Sequence, residues 1–367
     1  MKKIKGLAIP LLMTAALTAC GGNGGNATTA QDTTAETATE TTTETTAAPE
    51  TTAETVAETE AVEVQAHELK TGQAFYAAHG TKAFATATVV LNEEIVVLAY
   101  IDEYQYLDAA AATGVPNSEN FGDYVNEGYV LGSKRVNNES YSTNMAAAGS
   151  TVEIYENFDL IQEFVAGKTV AELEELVKGE KEAVVDAVSG ATLVDTSGYI
   201  QAILAAAENA GQNEAVAYEG ELADLEMNQL EGAAHGTKCF TLTTVVTDGK
   251  QIVSAFIDEF QYLSADTTTG VPNAENFADY VTEGYVLGSK RVNAEAYSTS
   301  MAAAGSTVAI NVNYDMIQQY LNGKTIEELK ALEGKPAEEV IDAVSGATLT
   351  DTPGYIAEAV KTAETSK

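Results

Sequence analysis

Two runs rich in β-branched and aromatic residues, Ala83–Val90 and Ile95–Tyr104, read as strands joined by a hairpin turn at Leu91–Glu94. A second pair of this kind occurs further along the chain, with Thr247-Asp248-Gly249-Lys250 at the turn, where Asp-Gly is the stronger hairpin signal. A loop containing Gly114-Val115-Pro116-Asn117 follows the first pair, and the pattern then becomes helix-like over Glu139–Ala148 and Phe158–Val165. Thr169 with Glu172, and Thr325 with Glu328, have capping-box spacing. Glu180–Val188 and Thr196–Ala207 read as further helices, the second capped by Asp195 or Thr196. Strands first and helices later imply an α+β unit, an antiparallel sheet packed by helices.

The unit occurs twice. Ser189 and Ser345 are 156 residues apart, and that offset aligns the chain without insertion or deletion. His79-Gly80-Thr81-Lys82 falls on His235-Gly236-Thr237-Lys238, and Gly132 to Asn137 falls on Gly288 to Asn293. Each unit has roughly 145 residues, an ordinary size for one domain, and the period is far too long for a solenoid. The expected organisation is a leader over 1–19, a tether over 20–66, and tandem domains over 67–209 and 222–364. A short, less ordered join is expected near Asn209 to Glu221.

The N-terminus reads as a secretory signal. Lys2, Lys3 and Lys5 precede an apolar stretch from Gly6 to Leu17, about a dozen residues and shorter than the roughly 20 that a spanning helix needs. Leu17-Thr18-Ala19-Cys20 resembles a lipobox, which would make Cys20 the lipidated N-terminus of a protein anchored on the outer face of the cell membrane. Residues 21–65 are almost entirely Thr, Ala and Glu, with too little apolar content to fold, and read as a disordered tether. The formal net charge of −36 argues against a nucleic-acid partner. Of the two cysteines, Cys239 stands alone and reads as a small buried residue rather than a reactive thiol.

The chemistry concentrates in a repeated string, Asp186 to Thr192 and Asp342 to Thr348, each ending Ser-Gly-Ala-Thr. Gly190 with Ala191, and Gly346 with Ala347, leave the backbone beside a Thr hydroxyl unobstructed, so another enzyme can engulf the turn. A Thr hydroxyl is a weak nucleophile that needs outside activation. The string resembles the flavinylation motif of the FMN-binding domain family, Asp-x-x-Ser/Thr-Gly-Ala-Thr/Ser. The resemblance implies two FMN groups in phosphoester linkage to Thr192 and Thr348, installed by a magnesium-dependent flavin transferase that uses FAD. Asp186 and Asp342 would orient the acceptor or a metal in the transferase complex, and Ser189, Gly190, Ala191, Ser345, Gly346 and Ala347 would complete the cofactor-binding turns. With the lipobox and tether, the chain resembles tandem FMN-binding-domain lipoproteins of extracellular electron transfer in Gram-positive bacteria. That likeness implies an electron carrier running from a membrane quinol-linked donor to ferric iron, free flavin or another extracellular acceptor.

Further contacts to the cofactor are less determined by the residues. Lys134-Arg135 and Lys290-Arg291 stand out in so acidic a chain. One of each pair would balance the FMN phosphate or reduced flavin, or else both form surface ion pairs. Tyr141, Tyr297, Tyr129 and Tyr285 are candidates to stack on a ring, or simply core residues. The Gly-Val-Pro-Asn loops would lie against the flavin or act as plain turns. His79 and His235 lack the partners of a metal site. No phosphate-binding loop, dinucleotide fingerprint or hydrolase triad is present. The rival function is a non-redox lipoprotein that binds a wall polymer or a solute, with unmodified threonines.

Overall fold

The computed structural model describes residues 66–365. The leader, Cys20 and the tether lie outside the described residues. The first repeat begins with a strand that the sequence reading missed, β1 (His67–Tyr76), followed by β2 (Ala83–Asn92), β3 (Ile95–Asp108) and β4 (Tyr129–Ser133). Helices α1 (Asn138–Ala147), α2 (Ile154–Val165), α3 (Val170–Leu176), α4 (Lys181–Ala187) and α5 (Thr196–Gln212) then cover one face. A short strand, β5 (Val216–Tyr218), pairs antiparallel with β1, so the sheet runs β4-β3-β2-β1-β5. The second repeat supplies β6 (Glu226–Gly232), β7 (Cys239–Thr247), β8 (Ile252–Ser264) and β9 (Tyr285–Ser289) as a four-stranded antiparallel sheet. Its helices are α6 (Ala294–Ala303), α7 (Ile310–Leu321), α8 (Ile326–Lys330), α9 (Ala337–Ala343) and α10 (Thr352–Ala363). The α+β architecture of two helix-packed antiparallel sheets is therefore present.

Local signals act where the sequence places them. Thr169 and Thr325 each close a capping box with Glu172 and Glu328. Helix α2 starts four residues earlier than expected because Glu153 and Glu156 form a capping box of their own. The first hairpin turns on Glu93, held at φ 55°, where the second uses Gly249.

Each repeat has an apolar core between its sheet and helices, Phe158, Ile161 and Ile203 in the first and Ile317, Leu329 and Ile356 in the second. Two further apolar clusters are shared. In one, Phe84, Tyr104, Phe240 and Phe260 meet, with Phe240 stacked on Phe260 at 5.0 Å. The contacts between repeats follow a pseudo-two-fold relation. Tyr106 meets Tyr262 hydroxyl to hydroxyl at 3.1 Å, and Thr88 meets Thr244 at 3.3 Å, each 156 residues apart. Phe121 packs edge-on against Tyr262 while Phe277 packs against Tyr106. The Gly-Val-Pro-Asn loops belong to this interface. Asn117 sits at φ 66° and donates to the carbonyls of Gly236 and Cys239 in the second repeat, and Asn273 reciprocates to Gly80 and Ala83.

The join expected to be loosely ordered is instead built into the structure. Helix α5 runs on to Gln212, and Asn213 donates to the Thr71 carbonyl at 2.7 Å before β5 begins. The sequence hides this because Gly211, Gln212 and Asn213 read as a helix end and a polar linker. Their order comes from contacts with β1.

Candidate functional site

The two Ser-Gly-Ala-Thr turns have the same construction. Helix α4 stops at Ala187, Val188 plugs the core, and Ala191 N–H donates to the Val188 carbonyl at 3.1 Å. Gly190 takes φ +90°, as does Gly346, a conformation that costs other residues about 1–2 kcal/mol. At Gly346 a side chain would also come within 2.9 Å of the Met316 methyl. Asp186, Ser189, Gly190 and Thr192 are exposed, as are Asp342, Ser345, Gly346 and Thr348. Ala191 and Ala347 face inward as the apolar foot of each turn.

What fixes the threonine is a residue that the sequence reading did not single out. Asn157, on α2 and fully buried, accepts the Thr192 backbone N–H at 2.8 Å through Oδ1 and donates through Nδ2 to the Val152 and Glu153 carbonyls. Asn313 repeats the arrangement for Thr348, with N–H to Oδ1 at 2.7 Å. The signal was a polar residue on an otherwise apolar helix stripe, duplicated at the same offset. Each Thr hydroxyl reaches the Asn oxygen only at 3.4 Å, the loose end of hydrogen bonding. The backbone amide therefore anchors the turn, and the hydroxyl is left exposed and weakly engaged.

His79 and His235 also belong here. Each sits on the loop before the second strand of its repeat and pairs with the aspartate three residues after the threonine, His79 with Asp195 at 2.8 Å and His235 with Asp351 at 2.6 Å. Neither aspartate caps its following helix with its side chain. The loop is drawn close, since a side chain at Gly198 would meet the Ala78 carbonyl at 2.3 Å, with Gly354 and Ala234 matching.

The cations singled out from the sequence are used elsewhere, and not at the surface. Lys134 is 1% exposed and ion-paired with the fully buried Glu103, which also accepts the Tyr199 hydroxyl at 2.9 Å. Burial alone would lower the Lys134 pKa, but Glu103 and Tyr141 outweigh it and the ammonium is held above its ordinary value. Lys290 and Glu259 form the matching pair. Arg135 donates to the Ile101 carbonyl, Asp159 and Gln162, and Arg291 to the Ile257 carbonyl, Asp315 and Gln318. The four side chains thus brace sheet to helix, and none has a free charge to offer a phosphate. The tyrosines are likewise engaged. Tyr141 and Tyr297 lie beneath Lys134 and Lys290, and Tyr129 and Tyr285 pack edge-on against Tyr280 and Tyr124 across the interface.

The buried clusters differ between repeats. Glu259 accepts from Lys290, Tyr314, Tyr355 and the Cys239 thiol. In the first repeat Phe158 and Ala83 replace Tyr314 and Cys239, and Glu103 Oε1 is left buried without a partner. Burial and the neighbouring Glu259 push the Cys239 thiol well above its ordinary value, which keeps it protonated and inert.

No family model matches this sequence, and no curated protein or solved structure is significantly similar to it. The likeness to the FMN-binding domain family therefore rests on the Asp-x-x-Ser-Gly-Ala-Thr string and its repetition.

Proposed function

We propose that this chain is a lipid-anchored extracytoplasmic electron carrier with two FMN groups in phosphoester linkage to Thr192 and Thr348. The observation that carries the reading is the pair of identically built turns, each presenting an exposed, weakly engaged threonine hydroxyl on a backbone clamped by a buried asparagine. Esterifying such a hydroxyl sacrifices little, because its only protein partner among the described residues is at 3.4 Å. Among the described residues the only group hydrogen-bonded to either threonine hydroxyl is an asparagine oxygen, which is no base, and this suits activation by a separate magnesium-dependent flavin transferase. Bound flavin would supply the redox chemistry, and the protein its attachment and orientation. Lys134, Arg135, Lys290 and Arg291 act in this reading through the scaffold beneath the turns. Cys20 would hold the protein at the membrane, near a quinol-linked donor. Ferric iron or free flavin would be the acceptor.

The test is mass spectrometry of peptides spanning both motifs, from cells that possess the transferase. Each peptide should carry one FMN increment, and Thr192→Val and Thr348→Val should each remove the increment at their own site. Bare threonines in the unaltered protein, or flavin retained after both substitutions, would refute the reading.

A further inference from the structure

The two repeats enclose a cleft of about 600 Å³ that shares no residue with either threonine turn. Its walls are the C-terminal end of α5 with the following residues, and helix α7; its floor comes from β1 and β8. The volume lies in the range of small-molecule sites. Seven of its nineteen lining side chains are carboxamides, and its aromatic residues are Phe75 and Phe256, the latter with the Arg291 guanidinium over one face at 4.8 Å.

Several polar groups have fixed roles. Asn209 and Asn213 donate through Nδ2 to the Gln73 and Thr71 carbonyls at 2.8 and 2.7 Å, which commits each Oδ1 as an acceptor. Gln318 accepts the Ile257 N–H and the Arg291 guanidinium through Oε1, which commits its Nε2 as a donor. No other protein group among the described residues uses these three atoms. The Arg291 charge is answered by Asp315 at 2.7 Å, so the cleft does not present a free cation.

The pseudo-symmetric counterpart has a different composition. Thr71 and Ser254, hydrogen-bonded at 2.8 Å on the cleft floor, correspond to Met227 and Leu98, which pack into one apolar cluster. Gln319 and Asn322 correspond to Glu163 and Ala166, and Asn209 corresponds to Thr365. The polar lining is thus concentrated on one side of the molecule.

We infer that this cleft binds a neutral pyranose ring, one per chain. A sugar hydroxyl both donates and accepts, which matches fixed carboxamide acceptors opposite a fixed carboxamide donor. The apolar face of the ring matches Phe75 and Phe256. An anionic ligand is disfavoured because Arg291 is already neutralised by Asp315 and the lining adds Glu214 and Asp258. A free sugar and the end of a glycan chain share this chemistry.

The experiment is calorimetric titration of the full chain with methyl glucoside, N-acetylglucosamine, a disaccharide of N-acetylglucosamine, and glucuronate. It is paired with NMR of the Asn209 and Asn213 side-chain amides. A neutral pyranoside should bind more tightly than glucuronate and shift those resonances. Ala215→Trp, which fills the mouth at an exposed position, should weaken binding at least tenfold while the unfolding temperature stays put. Tighter binding of the disaccharide assigns the cleft to glycan ends, and equal binding to free sugars. Heat from none of the neutral sugars at 20 mM concentration (about the weakest affinity that would matter), a preference for glucuronate, or binding that survives Ala215→Trp overturns the assignment. Flavin content plays no part in this readout, so its failure leaves the redox reading standing.

Discussion

Replacing Glu231 by glutamine tests the energetics of the interface between repeats. Phe75 and Phe260 meet edge-on at 5.2 Å on one side of the pseudo-two-fold. Their counterparts are Glu231 and Tyr104, whose Oε1 and hydroxyl are both enclosed without a hydrogen-bond partner. Burial, with the nearby Asp102 carboxylate adding to it, raises the Glu231 pKa from 4.5 to about 8. Asp102 is raised too, chiefly by burial, with Arg135 opposing. A carboxyl near 8 when folded and near 4.5 when unfolded has no effect on the pH slope below the lower value. As pH rises from 4.5 to 8 the unfolded chain loses the proton first, so folding is progressively disfavoured, and above 8 the full penalty stands. A gap of that size is worth about 5 kcal/mol at 1.36 kcal/mol for each pH unit. Glu231 is only half-buried as a residue, so about 2 kcal/mol is the expected effect after solvent screening. Urea unfolding of the unaltered protein and Glu231→Gln should therefore diverge between pH 5 and pH 8, with the variant gaining about 2 kcal/mol relative to its pH 5 offset. The difference between the two curves, rather than either alone, isolates Glu231 and its coupling to Asp102. Parallel curves across that range would refute the reasoning.

The buried ion pairs yield a comparison between repeats. Lys134→Met should destabilise by about 3–5 kcal/mol because it strands the Glu103 charge, whereas Lys290→Met should cost less because Tyr314, Tyr355 and Cys239 still donate to Glu259; paired denaturant titrations decide it. Asn157→Ala should cost about 1–3 kcal/mol and, on the proposed flavinylation, lower FMN occupancy at Thr192 while leaving Thr348 unaffected, as read from the two motif peptides. Asn117→Ala removes two bonds to the second repeat and should speed amide exchange around Gly236–Cys239 without altering exchange within α2.

The sequence carried the second and third strands of each repeat, the capping boxes and the helix order, because those elements follow from local composition and from side chains that satisfy their own backbone. It missed β1 and β6 for a physical reason. Their faces toward the other repeat carry Thr71, Gln73 and Gln229, polar residues that a single repeat has no cause to bury. Gln73 donates to Thr88, Thr88 meets Thr244, and Thr244 donates to Gln229, so the hydrogen bonds that excuse this polarity run across the interface. The same blindness affected the Gly-Val-Pro-Asn loops, whose Asn side chains find their acceptors in the other repeat. The Thr turns were legible from four residues, but Asn157 lies 35 residues from Thr192 and only tertiary packing brings them together. Lys134 was misplaced because a lysine in an acidic chain reads as surface, and nothing local reveals a buried Glu103 waiting 31 residues earlier.

Two identical subunits cannot build this interface. An isologous contact repeats every residue pair on both sides of its axis, so a dimer of the first repeat would set Phe75 against Tyr104 twice, and a dimer of the second would set Glu231 against Phe260 twice. The second arrangement buries a carboxyl against a ring with no polar atom, whereas the Tyr104 hydroxyl opposes the rise in the Glu231 pKa. Here the acidic side chain meets the one aromatic with a hydroxyl, while the two phenylalanines meet each other. The Thr71–Ser254 and Met227–Leu98 positions follow the same rule, polar with polar and apolar with apolar. Covalent fusion is what permits such matched divergence, since it guarantees that each repeat always meets the other and never itself. It also lets one flank keep a polar cleft while the other closes around an apolar cluster, an asymmetry that the two near-identical threonine turns do not share.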